Sequence, residues 1–155
     1  MKILAFDQAS KNTAFAIGEN GKLADYGMLV AHGEKDDRVY NMATLIEEKI
    51  KKVNPDIVLF ENIQLQAGNV KTYQILAHLQ GMLIYIIKKL SLSYSVIAPV
   101  TWKIGIGINS KLKRDGQKAE CIKIIESKYD IDLGFNDDLA DAIGILTYFM
   151  EKGDK

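Results

Sequence analysis

At 155 residues, 48% of them hydrophobic, the chain has the length of one domain (1–155) and enough apolar side chain to bury a core unaided. Twenty basic residues balance 20 acidic ones. The chain therefore lacks the overall cation excess from which nucleic-acid affinity usually comes, and any such partner must be held by a local patch. The lone cysteine, Cys121, excludes an internal disulfide, and its flanks suggest a core-facing helical position. Met1–Phe6 has neither the basic flank nor the cleavage site of a leader, and no apolar run is long enough to span a bilayer, so a cytoplasmic protein without a membrane partner is expected.

Three strands open the chain. Lys2–Phe6 is a buried run, Thr13–Ile17 a second and Lys22–Val30 a third, with Glu19-Asn20-Gly21 supplying tight-turn chemistry between the last two. From Asp36 to Val53 the apolar residues Val39, Met42, Leu45, Ile46, Ile50 and Val53 recur at helical spacing, and Asn54-Pro55 ends the helix. Asp56–Phe60 reads as a short buried strand. A long helix follows over Asn69–Leu90, which Gly81 interrupts without ending. Tyr94–Ala98 is a fifth strand, Val100–Ile104 a short helical segment, and Gly105–Ser110 a loop. Two helices close the chain, Gly116–Tyr129 and Asp137–Met150. The order βββαβαβαα predicts an α/β fold, a mixed five-stranded sheet flanked by helices.

Asp7 and Glu61 stand immediately after the first and fourth predicted strands, in Phe6-Asp7-Gln8-Ala9-Ser10 and Leu59-Phe60-Glu61-Asn62. If those strands are adjacent and parallel, both carboxylates lie at the carboxyl edge of the sheet, where open α/β sheets collect ligands. Asp138 and Asp141 are three apart on the last helix and share one of its faces, and Asp137 competes for that face. Singly, an acid after a strand is a turn residue, and acids at a helix start complement its dipole. Together, four carboxylates in one pocket raise one another's pKa unless cations compensate. An all-oxygen donor set selects Mg²⁺ or Mn²⁺, and two such ions about 4 Å apart activate a water and stabilise the leaving oxygen of a phosphodiester.

Lys103, Lys111, Lys113, Arg114, Lys118, Lys123 and Lys128 crowd one stretch, and Asp130, Asp132, Asp137, Asp138 and Asp141 follow with no basic residue among them. A basic segment beside an acidic one suits a phosphate-binding surface next to a metal site; ordinary solvated helix charge is the competing reading. His32 reads as a turn residue and His78 as an ordinary helix residue, and Trp102 is expected to pack in the core rather than stack on a base. Gly105-Ile106-Gly107 lacks the Lys-Ser/Thr ending of a phosphate-binding loop, so no nucleotide cofactor is expected.

In order and spacing these residues resemble the RuvC family of Holliday-junction resolvases, of RNase H-like fold. The resemblance rests on Asp7 with Ser10, on Glu61, on Asp138-Leu139-Ala140-Asp141-Ala142, and on an Asn69–Gly81 segment that opens with Asn and closes with Gly. Lys103 in Thr101–Gly107 and Lys118 in Gly116–Ala119 match two family lysines, and the match spans Met1–Phe149. It implies a crossover junction endodeoxyribonuclease: a homodimer that binds four-way DNA junctions and nicks two strands of like polarity symmetrically, with two Mg²⁺ or Mn²⁺ ions per active site. Asp7, Glu61, Asp138 and Asp141 would be the metal ligands and, with Lys103 and Lys118, the catalytic set. Ser10, Gln64, Asn69, Lys71, Lys103, Lys111, Lys113, Arg114 and Lys118 would bind DNA. In the family the helix after the second acid joins the dimer interface. The residues agree, since Tyr73, Leu76, Leu83, Ile84, Ile86 and Ile87 spread over more helix surface than one core usually covers.

Two departures bear on substrate choice. Gln8-Ala9 stands where the family usually has Pro-Gly, and Gln64 where an aromatic often sits at the junction centre, as in a divergent, phage-type member. The alternatives are an RNase H-like nuclease acting on hybrids or flaps, and a non-catalytic junction-binding protein. An ATPase of the actin and sugar-kinase type would need two such domains, for which the chain is too short.

Overall fold

The computed structural model describes residues 1–153, so positions 154 and 155 of the expected domain lie outside the described residues. The strands are β1 (Lys2–Asp7), β2 (Asn12–Glu19), β3 (Lys22–Val30), β4 (Ile57–Glu61) and β5 (Ser93–Ile97). The helices are α1 (Lys35–Val53), α2 (Val70–Lys89), α3 (Pro99–Gly105), α4 (Arg114–Tyr129) and α5 (Asp137–Lys152). One sheet has the order β3-β2-β1-β4-β5, antiparallel across β3, β2 and β1 and parallel across β1, β4 and β5. The mixed sheet is the expected one. The short segment before the last two helices is a helix in its own right, started by Pro99, whose fixed φ suits a first helical position.

Alternation along the strands gives the sheet two unlike faces. Leu4, Phe6, Phe15, Val58 and Phe60 form a bulky face that packs on α1 and α2 through Met42, Ile46, Ile50, Leu79, Leu83 and Ile87. Ile3, Ala5, Ala14, Ala16 and Leu59 form the opposite face, mostly of small residues, under α5, with Trp102 and Cys121 completing that core. Small side chains let α5 lie close to the sheet. A Cβ on Gly18 would stand 2.8 Å from Leu146 Cδ1, nearer than carbon atoms pack. The expected strand ends at Ile17; β2 continues through Gly18 to Glu19, and Leu146 leaves no room for a side chain at Gly18.

The ladders also extend one residue beyond expectation at the two acids. Asp7 is still paired with Ala14, and Glu61 with Ile97, so both are the last residues of their strands rather than the first residues after them. Phe6 pairs with Phe60 in the parallel ladder, which sets Asp7 and Glu61 side by side.

One expectation about α2 is corrected. Leu83, Ile86 and Ile87, read as surplus apolar surface, are buried against the sheet and α1 within the chain. The face left outside carries Gln74, His78, Gly81 and Tyr85, flanked by half-buried Ile84, with Val70 exposed at its start. Leu83→Ala should therefore destabilise the chain by about 2–5 kcal/mol, as core truncations do, whereas Gln74→Ala should stay within about 0.5 kcal/mol. Urea unfolding of both variants measures this, and equal stabilities would mean that α2 is turned otherwise.

Candidate metal and nucleic-acid site

The carboxyl ends of β1 and β4, the start of α5 and the facing sides of α3 and α4 enclose a cleft of about 800 Å³. Asp7, Glu61, Asp138 and Asp141 all line it, together with Asp137, Lys103, Arg114 and Lys118. The loop after Glu61 adds Asn62, Gln64, Gln66 and Asn69. The four acids expected to converge thus share one cleft. Lys71, Lys111 and Lys113 are exposed outside its lining, and Ser10 lies in the β1–β2 connection, also outside it.

Local chemistry fixes each acid. Past Asp7 the chain turns on Thr13, whose hydroxyl donates to the Ala9 carbonyl at 2.7 Å and accepts from the Ala9 N–H at 3.0 Å. Gln8, one of the departures from the family pattern, is buried, and its Nε2 donates to the Glu61 carbonyl at 2.9 Å, tying the ends of β1 and β4 together. Gln80 of α2 donates to the same carbonyl at 3.1 Å. The Glu61 carboxylate accepts the Trp102 indole N–H at 2.6 Å. On α5, Asn136 caps the helix by accepting from the Leu139 N–H at 3.0 Å, which sets Asp137, Asp138 and Asp141 along the cleft side. Lys118 pairs with Asp137 at 2.7 Å.

Burial and mutual repulsion raise the acids of the cleft, and Lys103 and Lys118 offset only part of that rise. Burial, then the negative charges of Asp141, Glu61, Asp138 and Asp137, raise the Asp7 carboxyl well above the usual range. Burial likewise raises Asp141 to about 7, despite the attraction of Lys103, with Glu61 adding to the rise. Glu61 is raised by burial, and the Trp102 hydrogen bond and Lys103 pull it part of the way back. Asp138 is raised by burial and by Asp137. The Lys118 ammonium is held above its ordinary value by its bond to Asp137.

No group of three His, Cys, Asp or Glu side chains among the described residues is gathered tightly enough to enclose an ion. The acids border the cleft rather than closing on one point. The donor chemistry nevertheless fits a hard divalent ion: carboxylate oxygens predominate, and the buried Gln8 Oε1 in the same wall has no hydrogen-bond partner among the described residues. Asp7, Glu61, Asp138 and Asp141 are the residues that would hold such an ion.

Sequence reasoning missed two neighbours of the cleft acids. Trp102 is fully buried, as expected of a core residue, yet its polar edge reaches the cleft. Cys121 is likewise buried, and burial together with the negative charge of Asp141 raises its thiol far above the ordinary range. Both residues were visible only as apolar positions on helices. His32 and His78 are exposed and outside the cleft lining.

No family model and no curated protein matches the sequence. Among solved structures, Thermus thermophilus RuvC in complex with a Holliday junction substrate is 14% identical with a TM-score of 0.77, over 99% of this chain and 97% of that one. The Fowlpox virus resolvase in complex with Holliday junction DNA is 20% identical at a TM-score of 0.64 over the whole of both chains. The yeast mitochondrial Holliday junction resolvase is 19% identical at 0.61, over 96% of this chain and 77% of that one. The chain therefore has the fold of the RuvC-type resolvases, the RNase H-like α/β sheet expected from its sequence. No helix among the described residues is long and apolar enough to cross a membrane.

The raised carboxyls make a prediction about stability. A carboxyl whose pKa is higher folded than unfolded lets the folded chain bind more protons, so its contribution falls as pH rises from the ordinary carboxylate range through the folded pKa, about 7 for Asp141. In chelator the protein should melt at a lower temperature at pH 8 than at pH 5. Asp141→Asn should raise the pH 8 value by several degrees, since about 1 kcal/mol corresponds to about 2–4 °C for a domain of this size. Differential scanning calorimetry decides, and an Asp141→Asn protein that melts below the parent at pH 8 would contradict this electrostatic account.

Proposed function

We propose that the chain is a metal-dependent, structure-selective DNA endonuclease, one domain over residues 1–155, that cleaves four-way junctions as a cytoplasmic homodimer. The observation that carries this reading is the sharing of one cleft by Asp7, Glu61, Asp138 and Asp141, bordered by Lys103, Arg114 and Lys118. The fold supports it, since solved proteins that share it include two resolvases in complex with Holliday junctions.

In this reading Asp7, Glu61, Asp138 and Asp141 hold two Mg²⁺ or Mn²⁺ ions, which when bound lower the pKa of water and offset charge on a phosphodiester. Lys103, on α3, and Arg114 and Lys118, on α4, supply cations for the phosphates next to the scissile one, while Asn69 and Gln64 offer amides to the backbone or a base. Ser10, Lys71, Lys111 and Lys113 extend the contact beyond the cleft. Asp137 is already paired with Lys118 and holds that lysine until a phosphate displaces it. The outward face of α2, with Val70 and Tyr85 exposed and open space above Gly81, is the surface on which a second copy would pack. Light scattering at micromolar concentration should give a dimer mass, and a monomer unchanged by junction DNA would remove paired nicking.

Asp7→Asn preserves shape and removes the charge that a cation needs, so it should abolish nicking of a labelled four-way junction in Mg²⁺. Binding in Ca²⁺ or chelator should persist or tighten, because a carboxylate near phosphates repels DNA. Asp137→Asn should keep substantial activity. Lys103→Ala and Lys118→Ala should slow cleavage or reduce the salt dependence of binding. Full activity in Asp7→Asn would overturn the assignment. Running hybrids and flaps beside the junction separates this enzyme from a general RNase H-like nuclease, and binding without cleavage in the parent would indicate a non-catalytic junction-binding protein.

A further inference from the structure

The one tryptophan of the chain is fully buried among apolar residues, yet it spends its only polar group on an acid of the cleft, through the 2.6 Å bond from Nε1 to Glu61 Oε2. A buried indole N–H needs an acceptor, and a backbone carbonyl serves that need as a rule. The acceptor here is a carboxylate at the end of β4.

We propose that Trp102 is a positioning residue for the cleft, whose indole occupies one oxygen of Glu61 and fixes the rotamer in which the other oxygen is left for a divalent cation. The inference rests on the metal-dependent reading above.

Three observations converge on it. The backbone of Glu61 is already immobilised by Gln8 and Gln80 on its carbonyl, so the remaining freedom of this residue is in its side chain, which the indole restrains. The indole itself has little room to move: a Cβ on Gly144 of α5 would stand 2.6 Å from Cζ3 and 3.2 Å from Cε3, so α5 packs directly on the ring. Lys103, the neighbour in sequence, places its ammonium 5.5 Å from the ring centroid and so borders both the indole and the acids. The donor is also neutral. A lysine in its place would orient Glu61 equally well but cancel the charge that attracts a cation, whereas an N–H dipole orients the carboxylate and leaves its net charge in place.

Trp102→Phe keeps most of the ring and deletes the N–H. Outer partners that orient ligands typically cost about 10–100-fold in metal affinity or activity when removed. Trp102→Phe should therefore raise the Mg²⁺ concentration for half-maximal cleavage by about tenfold or more, while junction binding in Ca²⁺ stays within about twofold. Gly144→Ala retains the N–H but presses on the ring, and should move Mg²⁺ dependence in the same direction, which keeps the test open if Trp102→Phe fails to fold. A second readout needs no catalysis. Because Trp102 is the only tryptophan, its emission in the DNA-free protein should change saturably on titration with Mn²⁺, and Glu61→Ala should abolish that change. Parental Mg²⁺ dependence in both folded variants, or Mg²⁺-dependent cleavage without any Mn²⁺ response of the emission, would overturn the proposal. A saturable, Glu61-dependent response in a parent that cuts no DNA would instead retain the positioning role and overturn the nuclease reading.

Discussion

Burial of like-charged carboxylates in one cleft is the constraint around which this fold is arranged. Unfolded, the acids would be dispersed and solvated. Folded, Asp7 feels four other acids and Asp141 is held near neutrality, so the hydrophobic packing of two cores must outweigh an unfavourable charge cluster. That packing is not loose about its geometry. Parallel pairing of β1 with β4 forces Asp7 beside Glu61, and the cap at Asn136 forces three more acids to the same edge. A cation at that edge would turn the largest local liability into an attraction, which links folding, metal affinity and pH through one set of groups.

The asymmetry of the sheet serves the same end. Against the bulky face, with Leu4, Phe6 and Phe60, helices α1 and α2 stand off at side-chain distance and make a scaffold. Against Ala5, Ala14, Ala16 and Gly18, α5 sits close, and only a close helix carries Asp138 and Asp141 to acids anchored on strand ends. Enlarging those alanines would leave the elements intact and move the acids apart. The small residues are thus part of the site although none of them touches it.

Much of this was legible in sequence. Strand and helix identities follow from periodicity, and the site from three observations that needed no structure: Asp7 after one apolar run, Glu61 after another, and the i, i+3 pair Asp138 and Asp141. What sequence could not show was tertiary in origin. The continuation of β2 through Gly18 depends on where Leu146 lies, and the burial of Leu83, Ile86 and Ile87 on which way α2 is turned. An apolar residue at helical spacing has the same appearance whether it faces its own sheet or a partner. Trp102 posed the same difficulty, since burial was foreseeable and the destination of its N–H was not. Lys111, Lys113 and Lys71 share a sequence neighbourhood with cleft residues yet are exposed outside its lining, because proximity along a loop or a first helical turn does not determine direction.

Two of the five acids are held by different kinds of partner. Asp137 is bound by a full positive charge, Lys118. Glu61 is bound by an indole N–H, a neutral donor. A neutral donor orients a carboxylate without cancelling its charge, whereas the Lys118 ammonium offsets part of the charge of Asp137. The ion pair on the rim is also the exchangeable one. An anion approaching Lys118 would compete with Asp137 for the same ammonium, so the electrostatic state of the cleft depends on whether that ion pair is intact.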